Sequence, residues 1–177
     1  MAEFNHVMID IETLDTTLHS VIISIAAVKF NFNDDKTETF YRNIHPKTCS
    51  ELGMTISQET VNWWADQSTD ARKAVTINQV HIHDALEDMV EFLSDLPKHT
   101  EYWAQGIVFD YGNLQNALEL CDIQDPWLYH KISDSRTLFK FCHLDWTSYP
   151  RVGSHHNALD DCLTQIAALK EIFGNEE

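Results

Sequence analysis

The chain has 177 residues, 28 of them Asp or Glu against 12 Lys or Arg, for a formal net charge of −16. A 44% apolar share with nine Phe, five Trp and five Tyr excludes a disordered chain, and the length suits a single domain built on one hydrophobic core. The longest apolar run, residues 21–30, is broken by Ser24 and Lys29 and falls short of the ~18 residues a spanning helix needs, so no membrane partner is expected; the charge argues at first sight against DNA or RNA as well.

Residues 7–11 and 21–30 are rich in β-branched side chains and read as strands, joined by a mostly polar connection over residues 13–20. A third strand falls at about residues 38–44, so the chain opens as a meander. Ser57-Gln-Glu-Thr60 ahead of Val61-Asn-Trp-Trp64 resembles a helix N-terminus. Ile82, Leu86, Met89, Leu93 and Leu96 recur at helical spacing, with Asp84, Asp88, Glu91 and Asp95 as an opposite, solvent-facing stripe. Residues 102–107 read as a fourth strand, and Leu114, Ala117, Leu118 and Cys121 mark the helix after it. A further helix covers about residues 134–142, and the last runs from near Asn157 toward Phe173. This order predicts an α/β fold, a mixed sheet flanked by helices.

Cys49, Cys121, Cys142 and Cys162 are far apart with no Cys-x-x-Cys, which argues against a disulfide framework or a zinc knuckle. The N-terminus runs directly into an apolar, strand-like stretch, with no basic region and no small-residue cleavage site, so no signal peptide is expected. A cytoplasmic protein with reduced thiols is the expectation.

Three segments carry candidate chemistry. Asp10 and Glu12, two apart at the end of the first strand, project from one face, where like charges repel unless a cation lies between them. A strand running into a solvated turn explains the pair equally well. Asp110 sits just past the fourth strand, where an N-cap is the ordinary role, yet ligands of α/β sheets collect at such strand ends. In His156-Asn-Ala-Leu-Asp160-Asp161, Asn157 and Asp160 can cap the last helix. Asp161, however, lies beside its apolar stripe, an expensive place for an unpaired charge. Four converging acids would bind hard cations, Mg²⁺ or Mn²⁺ rather than zinc. Two such ions suit in-line displacement at a phosphodiester, with neutral His156 as general base.

In this order, Asp10-x-Glu12-Thr13, Phe109-Asp110 and His156-x-Ala158-x-x-Asp161 resemble the signature of the DEDDh 3′–5′ exonucleases, a superfamily on a ribonuclease-H-like fold. Thr60-Val-Asn-Trp-Trp64-Ala-Asp-Gln-Ser68 and Asp134-Ser-Arg-Thr137 bring the chain nearer to the tailed-phage exonuclease A and ribonuclease AS group. The resemblance implies a mixed sheet with one antiparallel strand. It also implies metal ligation by Asp10, Glu12, Asp110 and Asp161, catalysis by His156, and a terminal nucleotide held near Thr13. Phe109, Trp64 and Arg136 join the substrate-binding candidates. Gly106 stands where proofreading enzymes carry Asn, which weakens a proofreading role alone.

Either Trp63 or Trp64 is expected to pack inward and the other outward, where a ring can stack on a base. His81-Ile-His83 reads as a surface helix start and His155 as a solvated loop residue. Lys131, Arg136, Lys140 and Arg151 form either a phosphate-contacting patch or a solvated face. The resulting expectation is a 3′–5′ exonuclease of single-stranded DNA or RNA ends, DNA slightly favoured, in a bacterial cell and of cellular or phage origin. Its rivals are a hydrolase of very short oligonucleotides and a catalytically silent binding module, the latter disfavoured because every acid and His156 are present. A second copy of the chain is a further candidate partner. So acidic an enzyme should grip only a few terminal nucleotides and act without processivity.

Overall fold

The computed structural model describes residues 4–174. Its five-stranded sheet has the order β3-β2-β1-β4-β5, with β1 His6–Thr13, β2 Ile22–Phe30, β3 Thr37–Asn43, β4 Glu101–Ala104 and β5 Ile132–Asp134. β2 is antiparallel to both its neighbours, while β4 runs parallel to β1 and β5 to β4. The expected single antiparallel strand is therefore β2. Every residue of β2 is buried, including Lys29, whose ammonium reaches the rim to meet Asp95 at 2.6 Å.

Alternation along β1 divides the core. Val7, Ile9 and Ile11 point to one face, packed with residues of α2 (Gln58–Ala65), α3 (Thr69–Ala74), α4 (Ile82–Leu93) and α5 (Ile107–Leu120). Met8 points to the other, with α6 (Ser135–Phe141) and α7 (Ala158–Gly174). Asp10 and Glu12 share the parity of Met8 and so face α7. A five-residue helix, α1, covers Pro46–Ser50. No helix among the described residues is long and apolar enough to cross a membrane.

One sequence expectation is corrected, and one strand is added. The fourth strand stops at Ala104, not residue 107, because Gly106 adopts φ +119° and turns the chain into α5. The helix expected at about residues 134–142 is present as α6 with Asp134 as its N-cap, but the strand just before it, β5, has no counterpart in the sequence pattern, its three residues being too few for a period of two to show. The acidic stripe of α4 lies on the face opposite α7. Asp88 and Asp95 are paired there with Arg42 and Lys29.

Candidate active site

The site lies at the C-terminal end of β1 and beyond that of its parallel neighbour β4. β4 pairs with β1 only as far as Met8–Trp103, so Asp10 and Glu12 stand past its end, level with the start of α5. α7 crosses the same face and supplies Asp161. Ligand oxygens of Asp10, Glu12 and Asp161 all lie within 4.8 Å of one another.

Asp110 joins them because its expected capping duty falls to another residue. Gly106 is the N-cap of α5 and has no side chain to offer. The Ile107 N–H is taken by Asp134 Oδ2 at 3.1 Å, and Asp134 Oδ1 accepts from Thr137 N at 2.7 Å to cap α6. Asp110, one turn into α5, turns its buried carboxylate to β1 and accepts the Ile11 N–H. Removing both caps with Asp134→Ala should cost about 1–2 kcal/mol, a fall of roughly 2–8 °C in melting temperature by calorimetry, and displace Asp110.

Burial raises all four acids, and the charges of Asp110 and Asp161 raise Asp10 and Glu12 further. Burial, then the charges of Asp110, Glu12 and Asp161, push Asp10 well above the usual carboxylate range, against a 2.9 Å hydrogen bond from Gln165 Nε2 to its Oδ1. Glu12 rises to about 8 from burial and the charges of Asp161 and Asp110. Asp110 rises to about 7 through burial, opposed by the Ile11 N–H and the Arg136 guanidinium. Asp161 is raised by burial against the Arg151 charge. Oxygen donors crowded in this way fit hard divalent cations, since such an ion would replace the protons these carboxyls otherwise retain.

His156 lies in the loop before α7 at φ +61°. Its backbone N–H bonds the Asp161 carboxyl, and its ring sits edge-on to Trp63 with centroids 4.6 Å apart. Burial, followed by His155 and Arg151, lowers its pKa below 6.5. Asn157 caps α7, its Oδ1 accepting from Leu159 N and Asp160 N, whereas Asp160 binds Ser154 N at 2.7 Å.

A cleft of about 420 Å³ opens beside Glu12, lined by Thr13, Trp63, Trp64 and Phe109 among others. Trp64 is buried and donates its indole N–H to the Thr13 carbonyl at 2.9 Å, while Trp63 is 42% exposed. The ring with a free face is therefore Trp63 rather than Trp64. Thr13 spends its hydroxyl proton on the Asp15 carbonyl at 2.7 Å, leaving that oxygen to accept. Arg136 donates to the Gln105 carbonyl at 2.7 Å and packs against Gly106, where a Cβ would come within 3.1 Å of the guanidinium.

Two residues of the site escape the sequence reading. Gln165 follows Asp161 by one helical turn, so the spacing pointed to it, but a glutamine on an apolar face gives no chemical cue. Buried Asn113 fixes the loop behind the cleft, bonding Ser20 N, the Thr17 carbonyl and the Phe109 carbonyl. His81 caps α4 as expected of a surface helix start. The four cysteines are free thiols, Cys49 and Cys162 buried.

The sequence model of the 3′–5′ exoribonuclease Rv2179c-like domain matches residues 5–173. The exodeoxyribonuclease of Enterobacteria phage T4 is 26% identical, covering 92% of this chain and 86% of that one. In structure the chain is similar to the nuclease domain of 3′hExo, a DEDDh family member bound to rAMP (TM-score 0.64, 13% identity, 99% and 96% of the two chains covered). It is also similar to S. pombe Pop2p in its Mg²⁺- and Mn²⁺-bound form (TM-score 0.69, 14% identity, 98% and 84% covered). Both likenesses are of fold, ribonuclease-H-like. Matched over nearly its whole length, the chain belongs to the Rv2179c-like 3′–5′ exoribonuclease domain family and is a 3′–5′ exonuclease.

Proposed function

We propose that the enzyme shortens single-stranded nucleic acid one nucleotide at a time, DNA in preference to RNA, releasing nucleoside 5′-monophosphates. Two divalent cations, Mg²⁺ or Mn²⁺, would be held by Asp10, Glu12 and Asp161, with Asp110 reaching the second. The observation that carries the reading is the approach of Asp10, Glu12 and Asp161 within 4.8 Å. The Mg²⁺- and Mn²⁺-bound form of the similar Pop2p supports the choice of ion. Bound there, the cations supply Lewis acidity to the attacking water and to the leaving oxygen.

The chain's own residues do the rest. Gln165 holds the Asp10 carboxylate in one orientation, and the Ile11 N–H does the same for Asp110. The Trp63 face and the half-buried Phe109 line the cleft for a base, and the Thr13 hydroxyl oxygen can accept from the sugar. His156, with its pKa lowered, is neutral at pH 7 and takes the proton of the attacking water. The phage T4 relative, an exodeoxyribonuclease, supports DNA. The free thiols fit a reducing cytoplasm.

The small cleft favours a second reading, hydrolysis of very short oligonucleotides. Comparing kcat/KM on one sequence made as DNA, as RNA and as a dinucleotide decides among them. Higher values on the long DNA support the proposal; a dinucleotide preferred over both would replace it.

A further inference from the structure

The basic stretch of the sequence separates in the fold. Lys131 is spent on Glu101 at 2.7 Å, and Arg136 is tied to the Gln105 carbonyl. Arg151 alone stands directly on a candidate metal ligand, its Nη1 2.6 Å from Asp161 Oδ1, in a pair only 27% and 14% exposed. Its guanidinium also lies 4.9 Å over the ring of Trp146, which is stacked on Phe139 and on Tyr149.

The backbone after Arg151 is fixed. Val152 N donates to Thr164 Oγ1 at 3.0 Å and Ser154 N to Asp160 Oδ2 at 2.7 Å. Between them Gly153, at φ +66°, lets the Asp160 carboxylate approach where a Cβ would collide with it. The loop is thus anchored on the first turns of α7, and the Arg151 side chain spans from the Trp146 ring to Asp161.

A divalent cation at Asp161 would compete for the carboxylate charge that holds the guanidinium. When Asp161 turns to a cation, Arg151 keeps its charge at the rim of a centre that has become positive, and its stable partner is then an anion. The anion this site receives is phosphate, which a guanidinium fork matches in geometry. We propose that Arg151 is a phosphate-binding residue of the exonuclease, held by Asp161 in the metal-free protein and transferred to a non-bridging oxygen of the terminal phosphate once Asp161 engages a cation. This rests on the exonuclease reading of the site.

The test is calorimetric and needs no turnover. Metal-free protein is titrated with Mn²⁺, and then, at saturating Mn²⁺, with thymidine 5′-monophosphate. Arg151→Gln should bind Mn²⁺ about five-fold more tightly at low ionic strength, because a competing cation is gone. It should bind the nucleotide about ten-fold more weakly, having lost a charge-assisted contact. Arg151→Lys, which keeps the charge without the fork, should match wild type for Mn²⁺ and lose about three-fold for the nucleotide. Wild-type nucleotide affinity in either variant, or unchanged or weaker Mn²⁺ binding in the Gln variant, overturns the assignment. If the Gln variant does not fold, the Lys variant decides alone. Failure of the wild type to bind Mn²⁺ removes the metal-site reading itself, and the assignment with it.

Discussion

Asp10→Ala is expected to abolish 3′-end hydrolysis, by ~10³-fold or more, since several kcal/mol of transition-state stabilisation rest on the ions this residue would hold. Asp161→Ala should do the same. Neither change should unfold the protein, because in the metal-free state each thins a crowd of buried acids whose ionisation opposes folding. The sign follows from their pKa values. Asp10, Glu12 and Asp110 are all raised, Glu12 to about 8 and Asp110 to about 7, so the folded state favours their protonated forms. The stability they contribute is full below the ordinary carboxylate range and is lost as pH rises through 7 and 8. The melting temperature of the metal-free wild type should therefore fall between pH 5 and pH 8, by roughly 2–4 °C for each kcal/mol lost. Asp10→Ala should flatten that decline, and Mn²⁺ added at pH 8 should reverse it in the wild type. Normal turnover in either Ala variant would remove the site assignment.

His156→Ala should lower the rate at pH 7 by about 10²- to 10⁴-fold, the range of a lost general base, and by less at high pH where hydroxide is plentiful. Burial and the neighbouring charges of His155 and Arg151 hold the His156 pKa below 6.5. The wild-type rate should therefore climb as pH rises through that region and level off near neutrality, an inflection the variant lacks. A variant whose pH profile keeps the wild-type shape would show that His156 does not take the proton.

Strands β1, β2 and β3 were legible because each is long enough for its β-branched residues to form a pattern. The acids were legible as a set, since Asp10-x-Glu12, Asp110 and Asp161 occur in an order that one strand, one strand end and one helix can bring together. The geometry among them was not. Asp110 reads as an N-cap until Asp134, 24 positions later, is seen to cap both α5 and α6. That exchange depends on β5 pairing beside β4, a contact between short segments that leaves no local trace. The pair Trp63-Trp64 promised one inward and one outward ring, but which was which depended on Thr13 offering its carbonyl 51 residues away. Arg151 looked like one cation among four, and only the folding of its loop onto α7 set it against Asp161.

The acidity that argued at first sight against nucleic acid is concentrated at two places among others. Part of it is the site, where cations would offset the carboxylates. Part is the α4 stripe on the other face of the sheet, answered there by Lys29 and Arg42. With Arg151 beside Asp161, the proposed phosphate contact would rest on one guanidinium, and the net charge of −16 leaves little to hold a long backbone.

The central claim is that divalent cations at Asp10, Glu12, Asp110 and Asp161 are required for stepwise removal of the 3′ nucleotide. The direct measurement is a time course on 5′-labelled single strands with chelator-treated protein, repeated as Mn²⁺ is restored and with Asp161→Ala beside it. No cleavage is expected in chelator; as Mn²⁺ returns a ladder should shorten from the 3′ end with nucleoside 5′-monophosphate as product, and the variant should not recover. Cleavage that persists in chelator, or that Mn²⁺ restores equally in Asp161→Ala, would contradict the claim.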